Sequence, residues 1–269
     1  MKRLNLFAKG NVDVHDSLHS CRIGGELRWN GINEVIRGRT DAVVRLRHET
    51  WTRSDAVVAA EGVVPSEIAK RKLLLGSYPA AGQFSTVLFD TDADAIILSI
   101  LGETATTLVR HNQAGFLFYP SDTEKWSQQD RDWLKNDFTR QDLLDVEASM
   151  NNLRVIINRI RTRTEAPILI YNVSPVVPGE AVHCLQGLGE TYSTRCRRFN
   201  LGLAELSEEL GISIVDVDSI IARAGADTLK IDAMHLTPDG YRLVAEEVVR
   251  VLDNLGVMPA MQESPCEPA

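Results

Sequence analysis

The chain has 269 residues, of which 44% are hydrophobic, so it can bury a full core in one domain, and its composition excludes a disordered protein. A formal net charge of −8 at pH 7 argues against nucleic acid or an anionic membrane as the main partner. The apolar runs are far shorter than the roughly 20 residues that cross a bilayer, and the segment Met1–Lys9 does not have the pattern of a signal peptide. We therefore expect a cytoplasmic protein without a membrane partner.

Taken in chain order, the predicted elements alternate strands with helices. This order is typical of a parallel sheet that is covered by helices on both faces, with the functional site beyond the C-terminal ends of the strands. The predicted strands are Leu4–Ala8, Val43–Arg47, Ala95–Leu101, Ile168–Val173 and Ile212–Val217. The predicted helices are Glu26–Arg37, Leu143–Arg163, Thr191–Leu210 and Pro238–Leu252.

Two segments break this alternation. Residues 102–141 combine aromatic residues such as Trp126 and Trp133 with many charges, and they form either a lid or substrate-binding insertion or a surface elaboration. Residues 256–269 carry three prolines and predict a mobile tail, which leaves a single domain over residues 1–255. The four cysteines have no C-x-x-C spacing, so we expect reduced thiols rather than a zinc site or a disulfide framework, and we assign no function to the adjacent pair His183-Cys184.

The run Asp232-Ala233-Met234-His235 places a carboxylate and an imidazole three residues apart, just before a helix. Thr237 suits the N-cap of that helix and Pro238 its first position. From this loop Asp232 can bind one ring nitrogen of His235, so that the other nitrogen can take a proton from a nucleophile. Alternatively, Asp232 caps a turn and His235 is an ordinary loop histidine.

The continuation Leu236-Thr237-Pro238-Asp239-Gly240-Tyr241 makes this run similar to the C-terminal block of the SGNH, or GDSL, hydrolase family. The elements from Ile168 to Val217, including Arg198-Phe199-Asn200, follow the order of the family's second half, and the likeness covers residues 90–255. The resemblance implies a three-layer α/β/α sandwich with a five-stranded parallel, flavodoxin-like sheet. It also implies a small ester or acyl substrate, with Asp232 and His235 as the acid and base of a catalytic triad and no metal or cofactor.

The position of the nucleophile is open between two registers. The family has G-D-S or G-N-S at the end of the first strand, where this chain has Gly10-Asn11-Val12, and valine cannot be a nucleophile. The later run His15-Asp16-Ser17-Leu18 matches D-S-L, and we expect Ser17 to be the nucleophile. The alternative is that Ser17 is a turn or cap residue.

The residues expected to bind the substrate also differ from those of the family motifs. Where the family has G-x-N-D, this chain has Gly102-Glu103-Thr104-Ala105, so we expect Thr104, together with Asn11, to donate to the oxyanion. Arg47, His48 and Arg53 follow the second strand and either bind an anionic group of the substrate or form a solvated turn. Asp13, His15, Asp16 and His19 could in principle hold a divalent metal, although the resemblance implies none.

Three hypotheses follow from these residues. The first is a serine hydrolase or acyltransferase in which Ser17 attacks the acyl carbon, with His235 as base and then acid. The second is a divergent enzyme that uses Asp232 and His235 for proton transfer without a covalent serine. The third is a binding protein that has the fold but not the chemistry.

Overall fold

The computed structural model describes residues 3–23, 26–176 and 190–258. The strands are β1 (Arg3–Gly10), β2 (Cys21–Ile23), β3 (Glu26–Trp29), β4 (Val43–Thr50), β5 (Ala95–Ser99), β6 (Val109–His111), β7 (Leu117–Phe118), β8 (Phe138–Arg140), β9 (Ile168–Tyr171) and β10 (Ser213–Val215). The helices are α1 (Val12–Leu18), α2 (Ile32–Arg37), α3 (Ser54–Ala59), α4 (Ser66–Ala69), α5 (Ala80–Gln83), α6 (Leu101–Ala105), α7 (Gln128–Asp137), α8 (Val146–Arg161), α9 (Tyr192–Leu210), α10 (Val217–Ala224), α11 (Ala226–Leu229) and α12 (Pro238–Asn254). Short 3-10 helices span Val87–Phe89 and Thr123–Lys125.

The central sheet has five parallel strands in the order β10-β9-β5-β1-β4. If these five strands are numbered 1 to 5 in chain order and the sheet is read from β4 to β10, the order is the flavodoxin-like 2-1-3-4-5. The predicted three-layer α/β/α fold is therefore confirmed. Strands β1 and β4 pair from Arg3 with Val43 to Gly10 with Thr50, so their C-terminal ends lie side by side.

Two separate cores cover the faces of this sheet, because successive side chains of a strand point to opposite sides. On one face Leu4, Leu6 and Ala8 pack with α1, α2 and α12. On the other face Phe7 joins Ile96 and Leu98 of β5 in packing with α3, α8 and α9. Every residue of β5 and β9 is buried, as expected for central strands covered on both sides.

Two predictions about the N-terminal part of the chain are wrong. Glu26–Arg37 is not one helix, because β3 pairs antiparallel with β2 and the helix starts only at Ile32. Gly31, with a φ of 79°, makes the turn between β3 and α2. Residues 12–18, for which no helix was predicted, form α1, because Val14 and Leu18, four residues apart, both enter the core.

Within residues 102–141, the segment after α6 carries a second small sheet. Its antiparallel strands β6, β7 and β8 surround an aromatic cluster that includes Phe118, Trp126, Trp133 and Phe138. The cluster extends to Phe84, and the indole of Trp126 donates to the main-chain oxygen of Leu74, 2.8 Å away. The insertion is thus packed against residues 64–84.

The packed part of the chain continues beyond the end of α12. Met258 is buried in the core beside α12, so the packed part of the chain extends at least to this residue, and residues 259–269 of the expected tail lie outside the described range. Cys196 is a buried free thiol, and burial raises its pKa to about 11. His183, Cys184 and Cys266 fall outside the described residues, as does the side chain of Cys21. Within the described ranges, none of the helices has the length and apolar character needed to cross a bilayer.

Candidate active site

A cleft of about 660 Å³ opens at the C-terminal ends of β1 and β4, the edge at which ligands bind in sheets of this kind. It is built by the end of β1, helix α1, the end of β4, the segment before α5 and the loop before α12. Its lining residues are Gly10, Asn11, Val12, His15, Asp16, His48, Thr50, Ser77, Tyr78, Pro79, Met234 and His235.

The predicted base, His235, lines this cleft, and the predicted acid, Asp232, lies beside it. His235 Nδ1 lies 2.8 Å from Asp232 Oδ2 and 2.9 Å from Asp232 Oδ1. Because an ionised carboxylate can only accept, Nδ1 donates the hydrogen bond and Nε2 keeps its lone pair. The imidazole is about half exposed, at 49% of its side-chain surface, so Nε2 can take a proton from a molecule in the cleft.

Asp232 has two roles at once. Its Oδ1 accepts the main-chain N–H groups of Met234 and His235, both at 2.8 Å, so the carboxylate also caps the turn that carries the imidazole. Partial burial opposes ionisation of Asp232, but these two donors and the His235 ring outweigh it and hold the pKa of Asp232 below its ordinary value. The carboxylate is therefore ionised at neutral pH.

The loop that carries Asp232 and His235 is held between α11 and α12. Ile231 N–H donates to the main-chain oxygen of His235, and Leu236 N–H donates to the hydroxyl of Tyr241 in α12. The Thr237 side chain accepts from Gly240 N–H as the N-cap, as the sequence predicts. A Cβ at Gly240 would lie 2.8 Å from the main-chain oxygen of Leu229, so only glycine allows this close packing.

The end of β1 presents Asn11 and Val12 to the same cleft. Val12 is the first residue of α1 and stands where the family motif has its serine. Asn11 is 9% exposed, and its buried Oδ1 has no hydrogen-bond partner among the described residues. The structure therefore brings Asn11, Val12 and His235 together without a hydroxyl at the end of the strand.

Ser17 lies elsewhere, which corrects its assignment as the nucleophile. Its side chain is 0% exposed on the core face of α1. The hydroxyl donates to the main-chain oxygen of Asp13, 2.6 Å away, and lies 3.1 Å from the hydroxyl of Tyr171. A helical serine packed in this way stabilises α1 against the sheet and cannot reach a substrate in the cleft.

Thr104 and Arg53 are also structural. Thr104 is fully buried in α6, and its hydroxyl donates to the main-chain oxygen of Leu101, 2.7 Å away, so it is not placed to bind an oxyanion. Arg53 is 1% exposed, forms a two-pronged ion pair with Asp55 and donates to the main-chain oxygens of residues 106 and 142. Its donors stabilise the loop after β4 and are not available to a substrate anion.

Three histidines gather at the rim of the cleft, a grouping that sequence reasoning found only in part. The sequence predicts His15 and His19 in one candidate metal set with Asp13 and Asp16, and His48 joins the two histidines from β4 because β1 and β4 pair in register. Burial, followed by repulsion from His19 and His15, lowers the pKa of His48 to about 4. Burial and the neighbouring His15 also lower the pKa of His19.

Tyr78 forms the opposite wall and was not singled out from the sequence. Its ring contacts that of Tyr119 with centroids 4.6 Å apart, and Gln83 donates to the main-chain oxygens of both tyrosines. Burial raises the pKa of Tyr78 to about 12. No lining residue comes from 102–141, all of which the structure describes, so the insertion supports a wall of the cleft from behind.

Comparison with known proteins identifies the fold. No family model and no curated protein matches the sequence. An acetyl-xylooligosaccharide esterase from Geobacillus matches with a TM-score of 0.52 and 10% identity over 92% of this chain and 93% of its own. An aryl esterase from M. smegmatis matches with a TM-score of 0.51 and 12% identity over 95% of this chain and 100% of its own. A member of the lipolytic G-D-S-L family from Veillonella parvula has a TM-score of 0.48 and 12% identity, covering 93% of this chain and 98% of its own. The two esterases with TM-scores above 0.5 thus show that this chain shares their fold.

Proposed function

We propose that this chain is an SGNH-type hydrolase of small ester or acyl substrates in which His235 activates water directly, with no serine nucleophile. The observation that carries the proposal is the Asp232–His235 pair, with Nδ1 2.8 Å from the carboxylate and the ring lining a cleft that Ser17 does not reach. The esterase names of the two solved structures with TM-scores above 0.5 support an ester as the substrate class.

In the proposed reaction, water gives a proton to Nε2 of His235 while its oxygen forms a bond to the acyl carbon. The bond between the acyl carbon and the leaving oxygen then breaks, and His235 returns the proton to the departing alcohol. Asp232 keeps the ring in the required tautomer and stabilises the imidazolium that forms. An alcohol or amine in place of water would make the same site an acyltransferase.

Hydrolysis of 4-nitrophenyl acetate by three variants tests this mechanism. General-base catalysis by a positioned side chain contributes about 10²- to 10⁴-fold, so His235→Ala is expected to lose that much in kcat/KM. Asp232→Asn should also reduce kcat, because an amide can select the wrong tautomer of the ring. Ser17→Ala is the matched control and should keep the turnover of the wild type.

A fluorophosphonate probe followed by mass spectrometry separates this mechanism from covalent catalysis. We expect no labelled serine in the wild type. A labelled Ser17 or Ser77, or a burst of nitrophenol that indicates an acyl-enzyme, would contradict direct attack by water. A wild type that turns over no acyl ester, and whose ligand binding is unaffected by His235→Ala, would instead be the binding protein of the third hypothesis.

A further inference from the structure

Three imidazole rings meet at the rim of the cleft. The ring centroids of His15 and His19 are 4.8 Å apart, and each lies 5.5 Å from that of His48. His15 and His19 are four residues apart at the end of α1 and so share one side of the helix. One ring nitrogen from each of the three lies within 4.8 Å of the other two.

Hydrogen bonds orient two of these rings. His15 Nδ1 lies 2.7 Å from Asp16 Oδ1, and because the carboxylate accepts, Nε2 of His15 keeps its lone pair. His48 Nε2 lies 3.2 Å from the main-chain oxygen of Gly10, and because a carbonyl also accepts, Nδ1 of His48 keeps its lone pair. Histidine ligands of metals typically donate their second ring N–H to a carboxylate or a main-chain carbonyl in this way.

We propose that His15, His19 and His48 form a binding site for a divalent transition-metal ion of the zinc type. Three imidazoles with one open position are the ligand set of a catalytic zinc site. At bond lengths of about 2.0 to 2.1 Å, tetrahedral ligand nitrogens lie about 3.3 Å apart. Because the ring nitrogens now lie within 4.8 Å of one another, binding requires the rings to rotate closer together, and His15, which is 51% exposed, has the room to do so.

The position of the site connects it to the chemistry of the cleft. His15 and His48 line the same cavity as His235, so an ion held by them would lie at the wall of the cleft into which His235 projects. A zinc ion lowers the pKa of its bound water to about 7 and so makes it a nucleophile at neutral pH. This role rests on the proposed hydrolytic function, whereas the binding of the ion does not.

Cobalt(II) and zinc titrations of the chelator-treated protein test the site without any measurement of turnover. We expect one ion per chain, with the visible absorption of tetrahedral cobalt. Asp16→Asn should weaken zinc binding about 10- to 100-fold, because the carboxylate orients a ligand, and His15→Ala or His19→Ala should weaken it further. His235→Ala is the control: it removes a histidine of the same cleft and should leave metal affinity unchanged.

The outcomes separate this proposal from the proposed function. If folded wild-type protein binds no cobalt, or if His15→Ala and His19→Ala bind it as tightly as the wild type, the metal site is wrong whatever the hydrolytic activity. If cobalt binds as expected and the protein turns over no ester, the site is supported and the hydrolytic function fails. Both tests use exposed or half-buried histidines, so they do not depend on the more buried His48 tolerating substitution.

Discussion

At the scale of single residues, the cleft keeps a proton acceptor and lacks a hydroxyl at the end of β1. The Asp232–His235 pair has the geometry of a general base, and its carboxylate pKa is held low by N–H donors. Val12 occupies the first position of α1 and lines the same cleft. Val12 has no proton to give to His235, in agreement with the water nucleophile that we propose.

A serine restored at this position should become reactive. We expect Val12→Ser to acquire a fluorophosphonate adduct, detected by mass spectrometry, because its hydroxyl would stand at the strand end in the cleft that His235 lines. The double variant Val12→Ser with Ser17→Ala should be labelled to the same extent, since Ser17 is buried in the core. A folded Val12→Ser protein without an adduct would mean that His235 does not activate a group at this end of β1.

At the scale of elements, the start of α12 holds the imidazole in place. Thr237 accepts from Gly240 N–H and donates to the main-chain oxygen of Thr228, 3.2 Å away, so the cap joins α12 to α11. Asp145 caps α8 in the same way by accepting from Ala148 N–H, at a site that does not line the cleft. The two caps are a matched pair for separating stability from activity.

Thr237→Ala and Asp145→Ala should each lower the free energy of unfolding by about 1 kcal/mol, as is usual for the loss of an N-cap. Only Thr237→Ala should also reduce kcat, because its helix positions the loop of His235. Urea unfolding and ester hydrolysis measure the two effects. An equal reduction of kcat in both variants would show that the activity responds to overall stability and not to this cap.

At the scale of the whole molecule, a buried carboxylate joins three parts of the structure. Glu103 of α6 is 0% exposed; its Oε1 accepts from the indole of Trp51 and from Ser54 N–H, and its Oε2 accepts from the hydroxyls of Ser54 and Ser149. These contacts connect the loop after β4 and helix α3 with α6 and α8. Burial raises the pKa of Glu103, although the four donors oppose the shift.

The raised pKa has a consequence for stability. The folded protein binds the proton of Glu103 more tightly than the unfolded chain, so stability falls as pH rises from the ordinary value of 4.5 through the folded pKa. Glu103→Gln should flatten this part of the profile: its oxygen can accept both N–H groups, and its NH₂ can donate to the two rotatable hydroxyls. Urea unfolding at pH 5 and pH 8 would measure the change.

Glu103→Leu should instead lose about 3 kcal/mol at both pH values, because it leaves the Trp51 and Ser54 N–H groups buried without acceptors. This variant is the control for the loss of hydrogen bonds as distinct from the loss of charge. A Gln variant as unstable as the Leu variant at pH 8 would contradict the assignment of the pH dependence to the Glu103 proton.

The sequence by itself determined the features that are local or periodic. Alternating apolar strands and helices predict the parallel sheet, and the short run from Asp232 to Tyr241 contains the Asp–His pair, the cap and the start of the helix that holds them. Each of these relations spans a few residues, so backbone geometry and side-chain chemistry decide them without distant contacts. The Asp232–His235 pair is therefore found where the sequence predicts it.

Only the tertiary structure decided which distant side chains share the cleft. Ser17 is buried because Val14 and Leu18 turn its side of the seven-residue helix α1 toward the core. The D-S-L motif does not indicate which side of the helix faces the core. The meeting of His48 with His15 and His19 depends on the register of β1 and β4, whose partners are 40 residues apart in the chain. Helix packing and strand register exist only in the assembled sheet. For that reason the burial of Ser17 and the proximity of the three histidines cannot be read from the sequence.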